Sequence, residues 1–340
     1  MPKRKRILVL RTDRVGDLTL VTPLIESLRL SYPSSFIAAL VRNETRAVLD
    51  NNPNLNEILI YNPEASVVEQ AKVLKEHEFS DALLLYPTRK LAQILFLAGI
   101  PNRIGVGTIF YQYLTLMHSV SRKYEPLRHE VEYNLDVGRA IGLERISTVP
   151  RIYITDEERE WASSTLSGKG ISPGDLIIGI NPGSGGSSPN WIPETYFKMS
   201  INLLDIPDTK IIILGSREEG EAYRELLKGI VSDRIIPIMG LPLRELISII
   251  SQLDLLISSS TGPMHIAAAL QRNTVSLFCP MPVCNVTRWG PIGNKASIIL
   301  PEEGFCNTNC PKDPKLCKLE GISPEKAFDA VWNLIMKPSS

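Results

Sequence analysis

Short aliphatic runs alternate with segments whose apolar positions recur every three to four residues, and the alternation holds along the chain. In the first half, residues 7–11, 36–41, 57–61, 81–86 and 103–106 read as strands. Between them, 18–30, 45–51, 67–77 and 90–98 carry helical spacing, with Val21, Leu24, Ile25 and Leu28 on one face. The second half repeats the pattern. Residues 176–181, 210–215, 234–237, 254–258 and 274–278 read as strands, and 196–204, 218–228, 243–251 and 262–270 as helices. Strand and helix in strict alternation build a parallel sheet covered on both faces, so the pattern predicts an α/β protein of two Rossmann-like, doubly wound domains.

The boundary falls in a charged helix at 156–166 and the turn-rich stretch 167–174. A first domain over 1–165 and a second over 166–322 are expected. An amphipathic helix in 323–340 is expected to pack back on the first domain. At 340 residues the chain exceeds what one core commonly serves, which agrees with two domains.

Composition narrows the class. Thirty-seven basic residues balance 37 acidic ones, which points away from nucleic acid as a partner. No apolar run approaches the roughly 20 residues that span a bilayer. The basic start Met1-Pro2-Lys3-Arg4-Lys5-Arg6 precedes an apolar stretch too short for a secretory signal and reads as a solvated tail. Five cysteines, an odd number in a long chain, do not form the framework of a secreted domain. A cytoplasmic monomer is expected, with peripheral contact at the inner face of the cytoplasmic membrane left open for the basic tail.

In doubly wound sheets ligands gather beyond the carboxyl ends of the strands, and three loops there carry chemistry. After the first strand, Gly16 and Asp17 precede a helix. Asp17 suits two roles, helix N-cap or general base beside a glycine that lets substrate approach. The second loop, Asn181-Pro-Gly-Ser-Gly-Gly-Ser-Ser-Pro-Asn-Trp191, offers N–H groups and hydroxyls to a phosphate. In the third, Ser260-Thr261-Gly262-Pro263-Met264-His265 ends a strand in hydroxyls and opens a helix, whose dipole and free N–H groups favour an anion.

Together these loops resemble the ADP-heptose:lipopolysaccharide heptosyltransferases, glycosyltransferase family 9. The likeness rests on ILVLRTDRVGDLTLVTPLIESLR, INPGSGGSSPNW, and TGPMHIAAAL followed by LFCP and RWGP, with Arg244-Glu245-Leu246 and ISPEKAFDAV adding to it. It implies a GT-B fold whose two domains face each other across a cleft. It also implies an inverting, metal-independent transfer of a sugar, heptose by default, from a nucleotide-diphospho-sugar to a lipid-linked oligosaccharide of the lipopolysaccharide core. The nucleotide-sugar, an ADP-sugar by the same likeness, is a substrate, so no cofactor and no metal are expected. The absence of an Asp-x-Asp motif agrees with that.

Residue by residue, the resemblance makes Asp17 the base. It sets Ser184, Gly185 and Ser260 to His265 on the donor diphosphate, and Gly215, Ser216 and Glu218 or Glu219 on the nucleoside. Gly16, Arg14 and Arg128 fall on the acceptor side, where Arg42, Arg46, Arg89, Lys90, Arg122 and Lys123 could also meet acceptor anions. His129 reads as a helix start. Two positions depart from the family. Pro189-Asn190 stands where a lysine often precedes the tryptophan, and Ser260 where many members have aspartate. Both changes remove charge from the donor side. They are the support for one other reading, a non-catalytic nucleotide-sugar or glycan binder; a second, a GT-B sugar-nucleotide 2-epimerase, would need several acid/base groups around the donor ring, in which a loop with Ser260 is poor. Cys306, Cys310 and Cys317, spaced C-x3-C-x6-C, lack paired C-x-x-C hooks and are expected as free thiols. A four-thiolate zinc site completed by Cys279 or Cys284 is the alternative.

Overall fold

The computed structural model describes residues 4–107, 109–186, 188–229 and 232–336. The chain divides into two compact units, Met1–Tyr153 and Ile154–Ser340. Residues 1–3 of the basic tail, Ser187 of the second loop and the last four residues of the C-terminal segment lie outside the described part.

The first unit holds β1 (Arg6–Leu10), β2 (Phe36–Val41), β3 (Glu57–Ile60), β4 (Asp81–Leu84), β5 (Asn102–Val106) and β6 (His118–Val120). They form one parallel sheet in the order β3-β2-β1-β4-β5-β6. The second unit holds β7 (Leu176–Asn181), β8 (Thr209–Gly215), β9 (Ile235–Met239), β10 (Leu255–Ser259), β11 (Asn273–Leu277) and β12 (Ala296–Ile299). Its sheet, also parallel, runs β12-β11-β10-β7-β8-β9. Counted from its own first strand, each unit has the order 3-2-1-4-5-6. The strand order therefore reverses between β1 and β4 in one unit and between β7 and β10 in the other. At such a reversal the connecting helices leave to opposite faces, opening a crevice at the carboxyl ends.

Alternation within the strands sets the cores. Leu8 and Leu10, Ala38 and Leu40, and Ala82 and Leu84 form one face with Leu91, Ile94 and Leu95. Ile7 and Val9, between them, are equally buried on the opposite face. A strand covered on both sides reads as an unbroken apolar run, which is why β1 and β2 were legible. Replacing Leu8 by Ala removes about 2–5 kcal/mol of stability through lost burial and a cavity.

The second core corrects two expectations. Ala327 and Val331 of the C-terminal helix Pro324–Met336 sit among Ile178, Ile211, Val275, Trp191 and Tyr196. That helix packs on the helix Pro193–Asn202 and on β11 and β12, so its apolar stripe is buried in the second unit and not on the first. The helix Asp156–Ser167 also belongs to the second unit. It packs on the helix Leu243–Ile250, where the Arg244 guanidinium grips Glu158 through two bonds of 2.5 and 2.6 Å. Thr155 and Glu158 cap its first turn reciprocally. The division thus falls before this helix, at 153/154, and not after it at 165/166.

Local departures have local causes. The single helix expected over 18–30 is two, Val15–Thr19 and Thr22–Ser31, the second opened by Pro23 in its first turn. Residues 45–51 hold only a 3-10 turn, Arg46–Val48, and the helix expected over 218–228 breaks at Tyr223. The edge strands β6 and β12 were not foreseen, and of the helix Glu130–Arg139 only the start at His129 was. Among the described residues no helix is long and apolar enough to cross a membrane.

Candidate active site

The loop after β1 begins with a buried cation. Arg11 continues β1, its N–H donating to Leu40 O, and its side chain is only 4% exposed. Its Nε donates to Asp13 Oδ1 at 2.7 Å and Nη2 to Asp17 Oδ1 at 2.5 Å. Nη1 lies 3.3 Å from both Glu130 Oε1 and Asn134 Oδ1. Glu130 also accepts from Arg122 Nη2 at 3.0 Å, and Asn134 donates to Leu20 O, tying the helix Glu130–Arg139 to the loop. Three carboxylates and two guanidiniums thus share one site at the reversal point of the first sheet.

Within this cluster Asp17 is distinct. Its side chain is 17% exposed, against 12% for Asp13 and none for Glu130. Arg11 occupies Oδ1, and no hydrogen bond from the described residues reaches Oδ2. Burial pushes the carboxyl up to about 6; Arg11 opposes the shift, and Asp13 and Glu130 reinforce it. The result is a stronger base than a free carboxylate that is still mostly ionised at neutral pH. On Arg11 burial works the other way, but Asp13, Asp17 and Glu130 together hold the guanidinium above its ordinary value.

The N-cap role foreseen as the alternative for Asp17 belongs to Arg14. Asp17 is the third helical residue of Val15–Thr19, and the helix start has no side-chain cap. Gly16 is buried beside it, and exposed Arg14 lends a positive field to Asp17. Arg128 does not join the cluster. Asp136 holds its guanidinium, which lies over the Tyr133 ring at 5.0 Å, so it fastens the segment before the helix Glu130–Arg139. Arg122 is the arginine that joins, and its Nε is a buried donor without a partner. His129 caps that helix, Nδ1 accepting from Val131 N–H at 3.2 Å.

At the reversal point of the second sheet, the loops after β7 and β10 meet through Ser188 Oγ and Ser259 Oγ, 3.3 Å apart. Gly185 and Gly186 both take positive φ, +52° and +68°, a turn that side chains with a Cβ resist. Ser184 beside them is half-buried. Thr261 is the N-cap of the helix Gly262–Ala269, yet its hydroxyl does not cap that helix. Its Oγ1 is buried and has no hydrogen-bond partner. An orphan hydroxyl at a helix start is an anion-binding arrangement, because the first-turn N–H groups point the same way. His265 is buried in that first turn, and Ser260 is half-buried before it. Met264 is fully buried, so only its backbone N–H can serve a ligand. Gly262 and Pro263 are half-buried.

The nucleoside candidates separate. Ser216 and Glu219 form a reciprocal cap, and the Glu219 carboxylate lies against Gly183, where any Cβ would overlap it. Glu219 is therefore committed to structure, and Glu218, exposed one residue before, is the one open to a ligand. Gly215 packs against Met239 and Glu219. Asn190, where the family often carries lysine nearby, donates to Pro182 O and accepts from the Tyr196 hydroxyl, so it shapes the loop. Trp191 is buried with Nε1 donating to Ile322 O. Sequence reasoning missed Arg11, Glu130 and Asn134. An arginine closing a fully apolar run was the available signal, since arginine is rarely buried without partners.

Comparisons with known proteins bear on both units. A family model described as glycosyltransferase family 9 (heptosyltransferase) matches residues 67–318. Lipopolysaccharide heptosyltransferase 2 of Escherichia coli K12 is 25% identical over 317 residues, 88% of this chain and 89% of its own. The crystal structure of a family 9 glycosyltransferase from Veillonella parvula superposes with a TM-score of 0.84 at 23% identity, covering 98% of both chains. The E. coli ADP-heptose lps heptosyltransferase II structure superposes at 0.81 and 22% identity, covering 97% of this chain and 98% of its own. At those identities the superpositions show the fold, which is GT-B.

Proposed function

The chain belongs to glycosyltransferase family 9, and from that premise we propose that it transfers heptose from ADP-heptose to a hydroxyl of a lipid-linked lipopolysaccharide core, with inversion and without a metal or other cofactor. The observation that carries this reading is Asp17, a carboxylate of raised basicity with one free oxygen at the reversal point of the first sheet. The acceptor hydroxyl gives its proton to Asp17 Oδ2 as its oxygen bonds to the anomeric carbon. The bond from that carbon to the diphosphate oxygen breaks on the opposite face, and the electron pair leaves with the nucleotide diphosphate. Thr261 Oγ1 and the first N–H groups of the helix Gly262–Ala269 receive that growing charge, a role a metal fills in other transferases.

Ser184, Gly185, Ser260 and His265 complete the phosphate cradle, and Gly215, Ser216 and Glu218 meet the nucleoside. On the acceptor side, Gly16 and Arg14 flank the base, and the partnerless Nε of Arg122 supports giving it the acceptor anion in place of Arg128. An epimerase would need several acid–base groups at the donor, and Glu219 is held in a helix cap. Peripheral contact at the inner face of the membrane follows in this reading from the lipid-anchored acceptor.

A thermal-shift panel of ADP-, GDP-, UDP- and dTDP-sugars tests the donor. Only ADP-sugars should raise Tm, by about 2.7 kcal/mol of linkage at a hundredfold excess over Kd. A shift confined to another nucleotide would exclude ADP-heptose, and donor turnover by the same protein would exclude a binding-only role.

A further inference from the structure

All five cysteines of the chain fall between residues 279 and 317. Cys279 stands two residues beyond β11, and Cys306, Cys310 and Cys317 lie on the segment after β12. The fold brings these four around one cavity of about 120 Å³, with Lys318 also on its wall. Cys306 and Cys310 are one turn apart along the short helix Phe305–Asn309, which puts their side chains on the same side. That helix is pressed onto Gly321, where a Cβ would overlap the Phe305 ring. We propose that Cys279, Cys306, Cys310 and Cys317 form a four-thiolate site for a structural zinc-class metal ion.

Two observations support this. First, the four cysteines line one cavity, whereas disulfides would set them as two separate pairs. Second, apart from one helix of five residues, 300–322 has no regular element, and Leu316 within it is largely exposed. A loop of that length in a compact unit needs a staple.

Among the described residues no three such groups are set as a closed metal site as they stand. The four cysteines line the cavity, and the loop would draw in around the ion to reach tetrahedral Zn–S distances of about 2.3 Å. Binding releases the remaining thiol protons to solvent and changes no oxidation state. The product carries two net negative charges beside Lys318. The ion would also brace the phosphate loop, because Cys317 O accepts from Asn190 N–H at 3.3 Å and Ile322 O accepts from Trp191.

Elemental analysis of the full chain purified under reducing conditions tests the site, with Co²⁺ replacement as the spectroscopic probe. One zinc or iron ion per chain, and an intense thiolate-to-cobalt charge-transfer band on replacement, are expected. Cys306→Ser or Cys317→Ser should weaken metal retention by roughly tenfold or more, while Cys284→Ser retains the ion. Should the serine variants fail to fold, stripping wild-type protein with a chelator must lower its Tm, and zinc alone must restore it. A metal-free chain that gives no cobalt–thiolate band overturns the proposal, as does mass evidence that these cysteines form disulfides in the native protein.

Discussion

The two units share one strand order and place their functional loops at the same topological point, yet they fill it with opposite chemistry. In the first, four charged side chains gather about the buried Arg11, and burial raises the basicity of Asp17 against the pull of that guanidinium. In the second, the loops present hydroxyls, glycines and the start of a helix, with the Glu219 carboxylate tied into a cap. The same crevice can therefore be built to move a proton or to hold a charge. Which one it does depends on whether the chain leaving the first strand of the sheet carries ions or small polar residues.

The sharpest way to break this contrast is Asp17→Asn. Transfer should fall about 10²–10⁴-fold, because the acceptor hydroxyl loses its base, while the thermal shift with nucleotide stays unchanged. Equal losses of both in a donor titration would mean that the two units do not divide the work. Arg11→Ala comes next. It leaves Asp13, Asp17 and Glu130 without their shared cation and should destabilise the protein by about 3–5 kcal/mol in urea unfolding.

The third test concerns stability against pH. The folded value for Asp17 lies above its unfolded one, so the folded state binds the extra proton. Its contribution is therefore largest below about pH 4 and is lost as pH rises through about 6. Asp17→Asn should then gain about 2–3 kcal/mol at neutral pH, with little change at pH 4. A helix cap would instead be nearly indifferent to the same replacement at either pH, because asparagine caps about as well as aspartate. The matching kinetic signature is a wild-type kcat/KM that drops about tenfold per pH unit below about pH 6. The smallest effect belongs to the other unit. Thr261→Val removes a buried hydroxyl that has no protein partner, so folding should be neutral or slightly stabilised, while nucleotide affinity falls about tenfold. Unchanged affinity in calorimetry would remove Thr261 from the cradle.

Much of this was legible before any coordinates. Strands covered on both faces, such as 36–41 and 176–181, announce themselves as unbroken aliphatic runs, and the structure keeps both at the same bounds. Edge strands such as His118–Val120 are short and partly polar, so periodicity passes over them. The resemblance found Asp17 and the Thr261–His265 helix start. It did not find the cluster around Asp17, because Arg11 and Glu130 are 119 residues apart and only the fold joins them. Arg128 and Met264 show the reverse failure, since each sits in the right stretch while its side chain is committed elsewhere. The C-terminal helix was misassigned because an amphipathic stripe tells that a face is buried and not against what.

The position of the boundary has a practical side. Cut at 153/154, the second half would carry its opening helix, the Arg244–Glu158 clasp and the closing helix as its own. Cut at 165/166, the same half would begin inside a helix and expose the face of Leu243–Ile250 that Asp156–Ser167 covers. The chain is thus already punctuated for exchange. A second half grafted at that peptide bond would bring the loops after β7 and β10 with it and leave the residues of the Arg11 cluster untouched.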